Sequence, residues 1–164
     1  MGETLRKWIK QSAPLDAGLD AMLNLLVSAK ILENDFEVLL KPFGITRRQY
    51  NVLRILKGVH PGGHPRAEIA KRVLEQSPDI TRILDRLEDQ KLITRVQGEK
   101  DKRESLTKIT DKGIALVDKA AHVVIEFSNN LKKTLTPDGC VQLSDLCEKL
   151  YEEKLESRIS ILPD

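Results

Sequence analysis

One segment, SPDITRILDRLEDQK from Ser77 to Lys91, restricts the fold of this chain more than any other. Its apolar residues recur three or four positions apart, which places them on one side of a helix. These apolar residues are Ile80, Ile83, Leu84 and Leu87, and the opposite side carries Thr81, Arg82, Asp85, Arg86 and Asp89. Ser77 is a good N-cap, Pro78 suits the first helical position, and Asp79 complements the positive end of the helix dipole. The segment predicts a short surface helix with one buried face.

A second short helix precedes this segment and two short strands follow it. The stretch from about Arg66 to Leu74 predicts the preceding helix. Leu92–Val96 and Ser105–Thr110 have the length and the Ile, Val and Thr content of strands. Two short helices and a hairpin, in this order, are typical of a winged helix-turn-helix. The charged run from Glu99 to Glu104 would then form the tip of the hairpin, which is called the wing.

Long amphipathic helices flank this unit. Apolar residues recur at helical spacing from Leu15 to about Lys41, where Pro42 and Gly44 end the pattern. Thr110 can cap a second long helix, and Thr136-Pro137-Asp138 is a start signal for a last one. These apolar stripes are too long for a small winged domain to cover, so we expect a homodimer. The predicted fold is mostly α with a small β wing (α+β), a winged helix-turn-helix between long dimerisation helices.

The residues between the first long helix and the helix-turn-helix carry their own start signal. Thr46-Arg47-Arg48-Gln49 has the form of a capping box and predicts a helix to about Gly58. Three regions follow from these patterns. Residues 1–43 form an N-terminal dimerisation region, residues 44–112 a winged helix-turn-helix DNA-binding region, and residues 113–164 the C-terminal dimerisation helices. We expect the three regions to form one domain overall.

The charge is distributed unevenly along the chain. From Gly44 to Thr110 there are 15 Lys and Arg against 9 Asp and Glu, a net charge of +6. The remainder has 12 against 16, a net charge of −4, so the whole-chain value of +2 conceals the difference. A basic module beside acidic helices is typical of proteins that bind phosphate backbones.

Other classes of protein lack support in the sequence. No spacing of Cys, His and carboxylates suits a metal, and there is no Gly-rich phosphate loop or catalytic motif. Cys140 and Cys147 have acidic neighbours that disfavour a reactive thiolate. No window reaches the roughly 18 apolar residues of a membrane span, and no export signal is present. We therefore expect no enzyme activity, no cofactor, no metal and no membrane partner, and a cytoplasmic location.

Several stretches resemble, in order and spacing, the MarR-type family of winged-helix bacterial transcription regulators. They are ITRRQYNVLRIL, AEIAKRV, SPDITRILDRLEDQKLITR, DKRESLTKIT and DKG. The similarity covers roughly Gly44 to Gly113. Its most specific part is Asp101-Lys102-Arg103 followed by LTKITDKG, at the expected distance after TRILDRLE.

The resemblance implies a homodimer whose terminal helices interlock while two winged modules face double-stranded DNA. The helix from Ser77 would enter the major groove, and Arg103 would reach the minor groove, oriented by a salt bridge to Asp101. The expected DNA-binding residues are Arg66, Ser77, Pro78, Asp79, Thr81, Arg82, Arg86, Lys100, Asp101, Lys102 and Arg103. The implied function is sequence-specific transcription regulation, by a repressor that binds a pseudo-palindromic operator and responds to a small-molecule effector of unknown identity.

Two positions, Lys91 and Arg66, depart from the family pattern, the role of Asp79 has two interpretations, and one other function remains open. Lys91 stands where the family usually has a glycine, so the turn is strained or built differently. Asp79 either caps the helix, which we favour, or accepts from a cytosine amino group. Arg66 replaces a small hydroxyl residue. The alternative function is a winged-helix protein-interaction module without specific DNA binding, but a basic recognition helix combined with Arg103 favours DNA.

Overall fold

The structure of the chain is a computed structural model that describes residues 3–73, 79–98 and 105–159, with side chains described as far as Glu152. The elements in chain order are α1 (Glu3–Trp8), α2 (Ala17–Leu40), a 3₁₀ turn (Lys41–Phe43), α3 (Arg47–Lys57), β1 (His64–Pro65), α4 (Arg66–Arg72), α5 (Ile80–Asp89), β2 (Ile93–Gln97), β3 (Ser105–Ile109), α6 (Asp111–Leu135) and α7 (Pro137–Ile159). This is the predicted class, mostly α with a small β wing. Neither α1 nor β1 is predicted by the sequence patterns.

The first long helix begins and ends where its sequence signals lie. Asp16 caps α2, because its Oδ2 accepts from the backbone N–H of Gly18 at 2.9 Å and of Leu19 at 3.3 Å. The cap starts the helix two residues later than the apolar stripe predicted. At the other end, Pro42 lies in the 3₁₀ turn and Gly44 adopts a left-handed conformation with φ of +69°. Pro42 and Gly44 thus end the helix as predicted.

The predicted capping box starts α3. The Thr46 hydroxyl accepts from the Gln49 N–H at 3.2 Å, and Gln49 Oε1 accepts from the Thr46 N–H at 2.9 Å. Ile45 and Tyr50 flank this cap and are both buried. They anchor the start of the helix in the core.

The sheet has three antiparallel strands in the order β1-β3-β2. Ile93 lies opposite Ile109, and Gln97 lies opposite Ser105, so the predicted wing strands are confirmed. The added strand β1 is only His64 and Pro65, too short to give a periodic pattern. Gly63 allows β1 to approach β3, because a Cβ there would lie 2.6 Å from the Thr107 carbonyl oxygen.

The core of the winged module collects apolar side chains from each of these elements. The buried residues include Leu40, Val52, Leu53, Leu56, Ile69, Ile80, Leu84, Leu87, Leu92, Ile93 and Ile109. Each helix of the module therefore contributes one face to a common interior. Burying a side chain of this size contributes about 1.5–3 kcal/mol relative to leaving it exposed.

The chain divides into two compact units, residues 1–120 and residues 121–164. In the first unit, α2 exposes large apolar residues along its length, namely Leu19, Met22, Leu25, Leu26, Ile31 and Val38. In the second unit, the exposed large apolar residues among the described side chains are Ile125, Val141, Leu143, Leu146, Leu150 and Tyr151. Both units thus leave apolar stripes uncovered by the single chain. Among the described residues, none of the helices combines the length and the apolar character that crossing a membrane requires.

Candidate nucleic-acid interface

The helix α5, which we call the recognition helix, has the two faces that the sequence predicts. Ile80, Leu84 and Leu87 are buried, and Ile83 is half-buried. The exposed residues are Thr81, Arg82, Asp85, Arg86 and Asp89. The polar face is therefore held outward by apolar anchors spaced along the helix, which suits a rigid reading surface.

The described part of the recognition helix begins at Ile80, with Asp79 in the N-cap position. The predicted cap Ser77 and the predicted first helical residue Pro78 lie outside the described residues. The Asp79 side chain makes no capping hydrogen bond to the described first turn. Its Oδ1 lies 3.3 Å from Arg82 Nε, one turn further along. Asp79 thus stands at the N-cap, as the preferred interpretation has it, and its carboxylate pairs with the Arg82 guanidinium.

Two predicted DNA-binding residues from different helices meet at the surface. Arg66 is the first residue of α4, and its Nη1 donates to Thr81 Oγ1 over 3.4 Å. Both side chains are exposed. The structure thus brings Arg66 and Thr81 together, and Arg82 is exposed at the next position of the recognition helix. The other predicted residue on the described helix face, Arg86, is also exposed.

Six predicted site residues lie outside the described residues: Ser77, Pro78, Lys100, Asp101, Lys102 and Arg103. Their roles stay predictions. The structure does establish the ladder between β2 and β3 on which the wing prediction depends, from Ile93 opposite Ile109 to Gln97 opposite Ser105.

The charge of the recognition helix differs from the basic outer surface expected. From Ile80 to Asp89 there are two arginines and three acidic residues, so the helix alone has a net charge of −1. A residue that the sequence analysis missed compensates this charge. Arg95 on β2 places Nη2 2.5 Å from Asp85 Oδ1 and Nη1 2.8 Å from Glu88 Oε2. No local sequence signal predicts this contact, because it depends on how β2 returns along the helix.

The turn after the recognition helix determines how β2 runs back along that helix. Lys91 has φ of +60°, its N–H donates to the Glu88 carbonyl at 2.7 Å, and the Leu92 N–H donates to the Leu87 carbonyl at 2.9 Å. These two bonds form a Schellman motif, in which the left-handed residue is usually glycine. The turn thus has the left-handed geometry that a glycine usually provides, with Lys91 in a strained conformation.

The start of α6 is hydrogen-bonded to this turn. Thr110 Oγ1 donates to the Lys91 carbonyl at 2.9 Å and accepts from the Gly113 N–H at 3.1 Å, which confirms Thr110 as the predicted cap. Lys112 Nζ donates to the Gln90 carbonyl at 2.8 Å. A Cβ on Gly113 would lie 2.3 Å from the Leu92 carbonyl oxygen. The first turn of α6 is therefore in contact with the end of the recognition helix.

Two titratable groups near the start of α4 have shifted pKa values. They are Glu68, which lies in α4, and His64, which lies in the adjacent strand β1. Arg72 Nε donates to Glu68 Oε1 at 2.7 Å, and this hydrogen bond lowers the pKa of the Glu68 carboxyl. Burial lowers the pKa of His64, and the nearby Arg72 charge lowers it further. At neutral pH, Glu68 is thus ionised and His64 is neutral. The positive charge around α4 therefore comes from arginine and lysine side chains and not from His64.

A polar cleft of about 500 Å³ adjoins the recognition helix. Its lining comes from α2, the first turn of α3 with its cap, and the recognition helix with its N-cap residue: Lys30, Glu33, Asn34, Glu37, Thr46, Arg47, Arg48, Gln49, Asp79, Ile83 and Arg86. Glu37 Oε2 accepts from the Arg47 N–H at 3.2 Å, and Glu33 Oε1 lies 3.5 Å from Arg47 Nη2. The cleft contains charges of both signs, so it suits a polar molecule better than an apolar one.

Within the described part of the chain, no group of three or more His, Cys, Asp or Glu side chains is arranged to hold a metal ion. Cys140 and Cys147 are both free and half-buried on α7. Around the recognition helix, exposed side chains such as Arg66, Arg82 and Arg86 offer hydrogen-bond donors and positive charge. Such groups recognise phosphates and base edges.

Comparisons with known proteins agree with this geometry. The MarR family model matches residues 45–105. The chain is 27% identical over 113 residues to the HTH-type transcriptional regulator MhqR of Bacillus subtilis, a match that spans 69% of this chain and 66% of that protein. It is 26% identical over 137 residues to the HTH-type transcriptional regulator FarR of Neisseria gonorrhoeae, covering 82% of this chain and 92% of FarR.

A solved structure of the transcriptional repressor CouR bound to a 23-mer DNA duplex has the same fold. The two chains superpose with a TM-score of 0.71 at 26% sequence identity, over 84% of this chain and 99% of CouR. The agreement covers the winged module and extends beyond it into the flanking helices.

Proposed function

We propose, from its similarity to the MarR family of winged-helix transcription regulators, that the chain is a ligand-responsive repressor that binds a pseudo-palindromic operator as a homodimer. The family consists of transcription regulators and not of enzymes. We further propose that this protein has no catalytic activity, needs no cofactor or metal, and acts on chromosomal DNA in the cytoplasm.

The observation that carries the proposal is the exposed face of the recognition helix. Thr81 and Arg82 are exposed on it, Arg66 of α4 contacts Thr81, and buried anchors such as Leu84 hold the helix in place. Such groups form hydrogen bonds with base edges and phosphates, and a helix of this size fits the major groove. The net charge of +6 over residues 44–110 adds a general attraction to the duplex. A protein-interaction module has no need of this combination.

We assign the DNA contacts residue by residue. In the major groove we place the turn and the recognition helix, with Arg66, Ser77, Pro78, Asp79, Thr81, Arg82 and Arg86. On the wing we place Lys100, Asp101, Lys102 and Arg103, with the Arg103 guanidinium in the minor groove and the Asp101 carboxylate orienting it. Asp79 acts through its ion pair with Arg82. Its carboxylate holds the Arg82 guanidinium next to the first turn of the recognition helix.

We assign dimerisation to the helices on either side of the winged module, in residues 1–43 and 113–164. The exposed apolar residues of α2 and α7 support this assignment, because monomeric proteins rarely leave such continuous apolar surface in water. A two-fold dimer presents two recognition helices, so half-site centres should lie about one helical turn apart, roughly 10 base pairs.

The polar cleft supports regulation by a small molecule. It joins α2, which we place in the dimer interface, to the first turn of α3 and to the recognition helix. A ligand that binds this cleft more tightly in one arrangement of these helices would shift the population of DNA-competent dimers. Ligand-dependent release of DNA would test this part of the proposal, with a mixed-charge small-molecule library as the probe.

The main test is selection of bound duplexes from a random pool, followed by titration of the selected duplex at several salt concentrations. A palindromic consensus and an affinity that falls steeply with salt are the expected results. Arg82→Ala should relax the preference at one base position in each half-site, because it removes a base-edge contact. Salt-independent binding, or a pool that yields no consensus, would contradict the proposal and favour a protein-interaction module.

A further inference from the structure

Arg95, in the middle of β2, contacts two carboxylates of the recognition helix at once. Its Nη2 lies 2.5 Å from Asp85 Oδ1 and its Nη1 lies 2.8 Å from Glu88 Oε2. Asp85 and Glu88 are three residues apart and therefore share one side of the helix. A guanidinium presents its N–H donors in a fixed planar fork, so one arginine can hold both carboxylates.

The charge of the recognition helix explains why these contacts matter. The helix itself has three acidic residues and only two arginines, although it is the element we place against a polyanion. Carboxylates that face the duplex without compensation would repel it. Arg95 supplies the missing positive charge from a neighbouring strand, and it contacts two of the three acidic residues.

Folding stability is a poor reason for this arrangement. The three side chains remain partly exposed, at 35% for Arg95, 50% for Asp85 and 37% for Glu88. Ion pairs with this much solvent contribute little to folding stability. Their effect on a surface that binds DNA is larger, because the interaction with phosphates depends on the local charge.

We propose that Arg95 is a positioning residue for DNA binding, which holds Asp85 and Glu88 and cancels their charge on the surface that faces the phosphates. Arg95 acts through these carboxylates and needs no contact with DNA. This inference rests on the proposed function, because it assumes that the recognition helix binds a duplex.

The test is a rescue experiment on the full-length protein with the selected operator duplex. Arg95→Gln should weaken binding roughly tenfold at moderate salt, since it exposes two carboxylates next to phosphates. Adding Asp85→Asn and Glu88→Gln to Arg95→Gln should restore the affinity to within about threefold of the wild type, because the repulsion is then removed. A residue that contacts DNA itself, or one that only supports the fold, would not be rescued in this way.

Two further variants serve as controls. Lys108→Gln removes one positive charge from the opposite face of the same sheet, because Lys108 pairs with Thr94 whereas Arg95 pairs with Thr107. It should weaken binding by less than about threefold through long-range charge alone. Asp85→Asn with Glu88→Gln in the wild-type background should leave the affinity unchanged or raise it.

Each outcome of these experiments supports or overturns the positioning role of Arg95. An unchanged affinity for Arg95→Gln, or a triple variant that stays weak, overturns the proposal. If Arg95→Gln fails to fold, the double variant of the carboxylates decides alone, and a loss of affinity there overturns the proposal. If the wild type shows no salt-dependent binding to any duplex, the proposed function itself fails, a result distinct from all of these.

Discussion

Among single residues, Lys91 carries conformational strain at the end of the recognition helix. Its φ of +60° costs a non-glycine residue about 1–2 kcal/mol, and the hydrogen bonds of the Schellman motif hold it there. Lys91→Gly should therefore raise the free energy of unfolding by about 0.5–1 kcal/mol, after subtracting the greater entropy that glycine loses on folding. Chemical denaturation should show a higher midpoint with an unchanged slope. Lys91→Ala, which keeps a Cβ in the same conformation, should give no such gain.

The wing offers a prediction whose sign separates two physical accounts. If the Asp101 carboxylate orients the Arg103 guanidinium, Asp101→Ala should weaken DNA binding although it removes a negative charge. Arg103→Ala should lose on the order of 1–3 kcal/mol of binding free energy and lower the salt slope by about one. The matched control is Glu99→Ala, which removes an acidic residue of the same charged run and should leave binding unchanged or tighter. Tighter binding by Asp101→Ala would refute the orienting role.

At the scale of elements, the joint between the recognition helix and α6 depends on Gly113. Replacing an interior helix glycine by alanine usually stabilises a helix by about 1 kcal/mol. At Gly113 the new Cβ would lie 2.3 Å from the Leu92 carbonyl oxygen and 2.7 Å from Ile109 Cγ1. Gly113→Ala should therefore destabilise the protein by about 1–3 kcal/mol, as overpacking does. Its DNA affinity should fall too, because the end of the recognition helix must shift.

Gly139, early in α7, provides the comparison for this variant. A Cβ there would meet its nearest neighbours at 3.4 Å and 3.6 Å, which is ordinary contact. Gly139→Ala should thus stabilise the protein by up to about 1 kcal/mol. Thermal unfolding of the two variants should shift the midpoint in opposite directions. A shift in the same direction for both would show that the close approach at Gly113 does not restrict the joint.

For the whole molecule, the uncovered apolar residues predict an obligate dimer. Leu146 and Leu150 on α7 are 60% and 61% exposed in the single chain. Replacing both by aspartate would be harmless on a solvated face, but it should abolish the dimer, or unfold the protein, if a partner covers them. Light scattering after size exclusion would report the mass. Lys149→Asp, at an exposed position between them, is the control and should remain dimeric. A monomeric wild type would refute the prediction.

The sequence by itself determined the elements whose signals are local. The capping box at Thr46, the stop at Gly44, the two faces of the recognition helix and the start of α6 depend on neighbouring residues along the chain, so they were readable without a structure. The family resemblance followed from the same short motifs. Asp79 occupies the N-cap position of the recognition helix, a boundary that the sequence did not determine because Ser77 and Asp79 offer competing starts.

Only the tertiary structure decided the contacts between elements that are distant along the chain or meet through a turn. The two-residue strand β1 exists because β3 offers it a partner, and Arg66 meets Thr81 because α4 packs beside the recognition helix. Arg95 reaches Asp85 and Glu88 because the left-handed turn at Lys91 brings β2 back along the recognition helix. Side-chain periodicity states which face of an element is polar, but it does not state which charges of other elements that face will meet. The electrostatic character of the DNA-facing surface was therefore a property of the fold.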